Sequence, residues 1–364
     1  MSVINEQSIK DILETFEHEI LYQNLVKSGS IKDIQINGGS VAVDIKLGFP
    51  CAGIATELAI SITKHLQQNE GVADAEVKIS WNISAHKIQS GVAPIAGIKN
   101  VIAVASGKGG VGKSTTAVNL ALALQAEGAK VGILDADIYG PSQPMMLGVS
   151  GERPHSKDNK TIEPVTAHGL KTMSIGYLIE DTQAMIWRGP MVSSALTQLL
   201  SDTEWGDLDY LVIDLPPGTG DIQLTLAQKV PVTTALVVTT PQDIALIDAV
   251  KAIEMFEKVK IPSIGIVENM STHICSECGH IEAIFGEGGG EALSSQYSIE
   301  LLGSLPLDMQ IRLTTDAGAP TVVADPDGAI AGIYKQIARR LASKLSLQGK
   351  DYRGDSAPIL FREA

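Results

Sequence analysis

Apolar residues at Ile9, Ile12, Leu13, Phe16, Ile20 and Leu21 recur at helical spacing and predict a helix through that stretch. Polar and apolar positions then alternate over Ile31–Ile36 and Val41–Leu47, two strands flanking Asn37-Gly38-Gly39-Ser40, a hairpin turn. A helix over about Ile54–Leu66 and an alternating strand over Ala75–Ile83 complete an α-β-β-α-β order. That is the order of a small α+β domain, taken as residues 1–90. Gln89–Gly97 is poor in charge, carries two Gly and one Pro, and reads as a linker, taken as 91–98.

From Lys99 the pattern changes. Short β-branched runs no longer alternate: Val101–Ala105, Val131–Leu134, Leu208–Ile213, Ala235–Thr239, Ile264–Val267 and Leu301–Leu305, with helical patterns between them. Continuous apolar strands separated by helices indicate an α/β domain, its mostly parallel sheet covered by helices on both faces. It is taken as 99–346, with a last helix over Ile330–Leu345. Residues 347–364 are expected to form an extended tail.

Composition narrows the class. With 364 residues, 44% hydrophobic and 19% charged, a large buried core is expected. The net charge of −14 disfavours nucleic acid and anionic membrane as partners. Cys51, Cys275 and Cys278 are too few for a disulfide framework, and no apolar run approaches the ~20 residues of a membrane span. The acidic N-terminal stretch lacks the core of an export signal, so a soluble, cytoplasmic protein with reduced thiols is expected.

Directly after the strand Val101–Ala105, residues 107–114 fit G-x-x-x-x-G-K-[ST], with a helix expected over Ala117–Ala126. Glycines there let backbone N–H groups turn toward phosphate, and the helix N-terminus adds positive potential. Lys113 reaches the β- and γ-phosphates in such a loop, and the Ser114 hydroxyl sits on Mg²⁺. Gly107, Lys108, Gly109, Gly110, Val111, Gly112, Lys113, Ser114 and Thr115 are the expected ATP-binding stretch. Its early lysine makes it similar to the deviant Walker A group of P-loop NTPases, which includes MinD, ParA, ArsA and nitrogenase iron-protein relatives. That resemblance implies a nucleotide-sandwiched dimer in which Lys108 reaches the partner's phosphates.

Asp135 and Asp137 close the second strand, at the sheet edge where open α/β folds bind ligands. The resemblance assigns Asp137 to the attacking water and Asp135 to the surroundings of Mg²⁺. Strand Leu211–Ile213 ends in Asp214, then Pro216-Pro217-Gly218-Thr219-Gly220. This resembles Walker B and switch II, with Asp214 holding Mg²⁺ and Gly218 offering its N–H to the γ-phosphate because no Cβ obstructs approach. By the same resemblance Asn269 contacts adenine, and Pro306-Leu307-Asp308 flanks the ring.

Cys275 and Cys278 lie in a polar loop at the spacing of a paired metal site. A [4Fe–4S] cluster takes four Cys, which one chain cannot supply around this loop and two chains can. One Zn²⁺ held by Cys275, Cys278, His273 and His280 within a single chain fits the string equally well. Cys51 reads either as a small buried hydrophobe or as a relay for iron.

Taken together, Gly107–Ser114, Asp135–Ser142, Trp187-Arg188-Gly189-Pro190-Met191, Asp214–Asp221, Glu268–Ser271, Cys275–Cys278 and Phe285–Gly290 resemble the Mrp/ApbC family of iron–sulfur cluster carrier ATPases. Residues 1–90 resemble the iron–sulfur assembly domain often fused ahead of bacterial members. The resemblance implies a slow ATPase, a homodimer, a labile [4Fe–4S] cluster between subunits, and transfer from cluster-assembly scaffold proteins to apo iron–sulfur proteins. The four-Cys N-terminal motif of longer eukaryotic relatives is missing, so no second stable cluster is expected. Trp187–Met191 is expected beside the nucleotide site or dimer seam, and Arg188 has no assigned role. The rival reading is a MinD- or ParA-like positioning ATPase. The charge balance and the Gly- and Pro-broken tail argue against it.

Overall fold

The computed structural model describes residues 4–158, 160–178, 189–275 and 277–351. The N-terminal unit holds a three-stranded sheet of β1 (Ile31–Asn37), β2 (Ser40–Leu47) and β3 (Asp74–Trp81), in the order β1-β2-β3. β1 and β2 form the hairpin, with Gly38 at φ +60 in its turn, and β2 pairs with β3 in parallel across the helix Ala55–Gln67.

The first helix covers only Glu6–Glu14, shorter than the periodicity predicts. The Thr15 hydroxyl donates to the Ile12 carbonyl and competes with the helical ladder. Phe16 and Ile20 are still buried, but by a turn in which the Leu21 N–H donates to His18 O. Burial, not helix phase, produced their spacing.

The larger unit is built on eight strands. They are β4 (Ile98–Ala105), β5 (Val131–Asp135), β6 (Val165–Ala167), β7 (Leu170–Ser174), β8 (Leu208–Asp214), β9 (Thr234–Thr239), β10 (Ser263–Glu268) and β13 (Leu301–Ser304). Their order is β13-β10-β9-β4-β8-β5-β7-β6, parallel except for the edge strand β6. β6 and β7 are additions to the expected set. β11 (His273–Ile274) and β12 (Ile281–Glu282) form a separate two-stranded hairpin. Among the described residues no helix is long and apolar enough to cross a membrane.

The helix Lys113–Ala126 has buried residues on every side because the sheet lies under it and the helix Ala329–Ser346 lies over it. One continuous hydrophobic cluster joins Ile20, Leu25 and Phe49 of the N-terminal unit to Tyr334, Ile337 and Leu341 of that last helix. Residues 349–351, expected to begin a free tail, instead pair with the segment 85–87: Lys87 N–H donates to Gly349 O, and Asp351 N–H to Ala85 O. Residues 352–364 lie outside the described set.

Glu127, one residue past the helix Lys113–Ala126, ties the two units together. Its carboxylate accepts from Arg339 Nε at 2.9 Å, Arg339 Nη2 at 2.6 Å and the Gly53 N–H at 2.9 Å, and its carbonyl accepts from the Ala52 N–H. The Glu127 side chain is 1% exposed. Glu127→Ala therefore leaves a charge and an N–H without partners, and a loss of about 3–5 kcal/mol is expected in urea unfolding. A loss below ~1 kcal/mol would class the pair with ordinary surface bridges.

Candidate functional site

The phosphate loop leaves β4 at Ser106, whose hydroxyl donates to Lys108 O at 2.8 Å and tightens the turn. Gly110 and Gly112 have φ of +83 and +82, the left-handed region that other residues avoid. A Cβ on Gly107 would lie 1.9 Å from the carbonyl of Asp248, and one on Gly112 would lie 2.1 Å from Asn269 Nδ2. These glycines are thus fixed by packing beneath the loop as well as by the ligand it is shaped for. A cleft of about 230 Å³ opens over the loop, lined among others by Lys108, Gly109, Lys113, Ser114, Thr115 and Asp137. The first N–H groups of the helix Lys113–Ala126 lie at this cleft without helical acceptors. Lys108 is exposed and forms no ion pair among the described residues.

Beneath the cleft the charges are buried. Lys113 Nζ is ion-paired with Asp214 Oδ1 and lies 3.2 Å from Ser114 Oγ. Asp135 Oδ2 accepts from Ser142 N, Gln143 N and Ser174 Oγ at 2.9–3.1 Å, and Oδ1 accepts from Asp137 N. Desolvation, then the neighbouring Asp214 charge, pushes the Asp135 carboxyl up to about 7 despite those donors. Asp137, part-exposed at the cleft, is also raised, chiefly by desolvation and against the pull of Lys113. Gln143 was not singled out from the sequence. Its side-chain amide donates to Asp214 Oδ2 at 2.9 Å and to Ser114 O at 3.1 Å, linking both carboxylate strands to the loop.

Gly218 has φ +98, and a Cβ there would meet nothing closer than 3.6 Å. Backbone conformation by itself already requires glycine there. Its N–H donates to Ser106 O at 2.9 Å, so a phosphate contact requires the loop to exchange that partner.

Asn269 follows β10 and is buried. Its Nδ2 donates to Val111 O at 2.9 Å, so it braces the phosphate loop from below; among the described residues its side chain forms no other hydrogen bond. Glu268, one residue earlier, accepts from Gly290 N at 2.6 Å and so anchors the helix Gly289–Tyr297. Desolvation raises its carboxyl. The chain then runs through Ser271, bonded to Leu305 O, and His273, whose Nδ1 lies 3.1 Å from Leu307 O, into β11.

The paired thiols sit on the turn between β11 and β12. Cys275 N–H donates to His280 O, and Gly279 N–H, at φ +70, donates to Cys275 O. Backbone N–H groups of Cys278, then Glu277, point at the Cys275 sulfur and hold its thiol below the ordinary range. Cys275 is part-exposed and Cys278 is exposed. The cross-strand pair Ile274 and Ile281 on the same hairpin is 53% and 61% exposed. His273 is engaged by Leu307, and His280 faces Glu282 at 3.6 Å. Among the described residues, no three His, Cys, Asp or Glu side chains are placed to hold one metal ion.

Cys51 is fully buried against the Glu127–Arg339 pair. Desolvation first, then the Glu127 charge, pushes its thiol up to about 12. That is the environment of a packing cysteine, not of an iron relay. Trp187 and Arg188 lie outside the described residues.

Comparison with known proteins agrees with this arrangement. Residues 97–342 match the family described as NUBPL iron-transfer P-loop NTPase, and residues 6–79 match a family of iron–sulfur cluster assembly proteins. The iron–sulfur cluster carrier protein of Haemophilus influenzae is 50% identical over 358 residues, covering 98% of this chain and 96% of its own. That of Escherichia coli K12 is 53% identical, covering 94% and 93%. The iron–sulfur cluster transfer protein NUBPL of Dictyostelium discoideum is 47% identical, covering 72% and 81%. Among solved structures, a nucleotide-binding protein of Archaeoglobus fulgidus in complex with ADP superposes with a TM-score of 0.55 at 39% identity, covering 64% of this chain and 90% of that one.

Proposed function

This chain belongs to the family of NUBPL iron-transfer P-loop NTPases and is an iron–sulfur cluster carrier, and on that footing we propose that two copies of it grip one [4Fe–4S] cluster between them under the control of ATP. The observation that supports this most directly is the β11–β12 turn. It presents two accessible sulfurs, one already biased toward thiolate, and no third ligand beside them among the described residues. Cys51 is buried elsewhere, so the remaining two sulfurs come from a second copy. Ile274 and Ile281 give the hairpin an apolar surface suited to that contact. The cluster is cargo, received from cluster-assembly scaffold proteins and passed to apo iron–sulfur proteins.

ATP is the nucleotide. Residues 107–115 wrap its phosphates, Lys113 bonds the β- and γ-phosphates, and Lys108 reaches those of the partner copy. Asn269, besides bracing the loop, stands at the strand end from which adenine would be contacted. The donor set around Asp135 suits Mg²⁺: hard oxygens from Ser114, Asp214 and Asp135, with two buried carboxylates whose mutual repulsion a divalent cation relieves. Mg²⁺, when bound, neutralises phosphate charge. Asp137 orients the attacking water and accepts its proton, a task that suits a carboxyl raised by desolvation.

Coupling follows the chain. Phosphate at the loop shifts Val111 and so Asn269, and six residues later the same segment carries Cys275. On the other side Gly218 moves its N–H between Ser106 O and the γ-phosphate. Hydrolysis then acts as a slow switch on cargo release.

Anaerobic reconstitution of the full chain tests this. Four iron and four sulfide per dimer are expected, with the broad visible absorption and Mössbauer signature of a [4Fe–4S] cluster. Colourless protein, or one zinc held tightly by each monomer, would refute it.

A further inference from the structure

A second pocket, of about 230 Å³ and open to solvent, lies between the N-terminal unit and the C-terminal end of the helix Ala329–Ser346. It is far from the phosphate loop in composition as well as in place. Lys32, Lys46 and Lys350 stand around it with His86, Ser30 and Ser84, and no Asp or Glu lines it. In a chain with 42 acidic against 28 basic residues, a pocket whose charged side chains are all positive is a marked local reversal.

Its floor carries an unspent polar group. His86 is 2% exposed, its Nδ1 lies 2.9 Å from Asn100 Oδ1, and its Nε2 has no hydrogen-bond partner of proper geometry. The Ser346 and Ser84 carbonyls lie near the ring. Burial of such an atom costs free energy unless something bonds it. Among the described residues neither Lys46 nor Lys350 forms an ion pair, and Lys32 Nζ donates only to Gly29 O. The pocket therefore offers positive charge with no lining carboxylate to neutralise it.

We propose that this cavity is a binding site for a small oxyanion-bearing metabolite, a phosphate or a compact polycarboxylate. Its volume is below the ~300–1,000 Å³ of drug-sized ligand sites and suits a small ligand. Lys32, Lys46 and His86 belong to the N-terminal unit, whereas Lys350 follows the last helix of the ATPase unit. An anion held by both closes the seam between them and favours their docked arrangement. The proposal stands independently of the cluster site.

The test uses the full chain with its phosphate loop saturated by a non-hydrolysable ATP analogue and excess Mg²⁺, so that phosphate finds no vacant γ-position there. Inorganic phosphate and citrate are the probes, and sodium chloride at matched ionic strength is the control. A rise in Tm of about 2–4 °C or more with at least one probe and not with chloride is expected. Lys46→Gln/Lys350→Gln, which alters two exposed side chains, is expected to weaken that probe's binding by about tenfold or more in calorimetry. The phosphate and citrate arms separate the two ligand sources. An equal rise with chloride, no rise with either probe, or an undiminished rise in the double variant would overturn the proposal.

Discussion

Cys275→Ala and Cys278→Ala, singly or together, are expected to abolish the reconstituted cluster while leaving nucleotide binding within about twofold of the parent chain. Symmetry makes the single substitutions severe, because each removes two of four sulfurs from the dimer. The two thiolates that remain leave half the cluster's ligand positions to water. The hairpin itself survives. Ile274 and Ile281 still pair across it, and the Cys275 N–H to His280 O bond is a backbone bond that alanine keeps. Only the N–H groups of Cys278 and Glu277 lose a sulfur acceptor, on an exposed turn where water replaces it. Nucleotide binding keeps its brace, since the Asn269 to Val111 O bond involves neither sulfur. Iron and sulfide assays beside ATP calorimetry read both halves. A double variant that still holds a stoichiometric cluster would move the cargo site elsewhere in the chain.

Local features of this site are legible in the sequence and long-range ones are not. Residues 107–115 are readable because strand, loop and helix are contiguous and each glycine has a local reason. The same holds for the Cys275–Cys278 turn, whose Gly279 has the positive φ its position demands. Gln143 is not readable: its partner Asp214 lies 71 residues away, and nothing near position 143 announces a buried amide. Glu268 is hidden in the same way, because Gly290 approaches it only after the hairpin has been laid down. Cys51 is ambiguous until Glu127 and Arg339 close over it. For Gly218 the positive φ is an added reason for glycine that the sequence does not show, since a φ value leaves no mark in composition. In the fold, long apolar strands such as β4 and β8 stand out. β6 has three residues at the sheet edge and gives no periodic signal. The first helix is overextended because burial of Phe16 and Ile20 mimics its period.

Lys113→Ala is expected to reduce ATP hydrolysis by at least about 10²-fold and to stop cluster delivery to an apoprotein, while the iron loaded on the dimer stays unchanged. The rate follows from removing one preorganised cation from the transferring phosphoryl group. Delivery follows because the loop no longer senses the γ-phosphate, whereas the thiols are untouched. The variant also carries a stability signature peculiar to this site. Lys113 is 6% exposed and is the counter-ion of the fully buried Asp214, beside the equally buried Asp135. Without it two carboxylates face each other in low dielectric, a loss of about 3–5 kcal/mol if both stay charged. Protonation relieves that loss. Asp135 already sits near 7 in the folded protein against an ordinary carboxyl value of 3.8, and Lys113 is one of the groups holding it down. A raised folded-state pKa gives stability that is complete below about 4 and is lost as pH rises through the folded value. Removing the lysine extends that loss upward. The gap between variant and parent in urea unfolding should therefore be small at pH 5 and largest above pH 7. Lys113→Ala/Asp214→Asn removes the repulsion and should close most of the gap without restoring turnover. Normal turnover in Lys113→Ala would detach hydrolysis from this loop. A pH-independent gap would show that the two carboxylates do not share their proton.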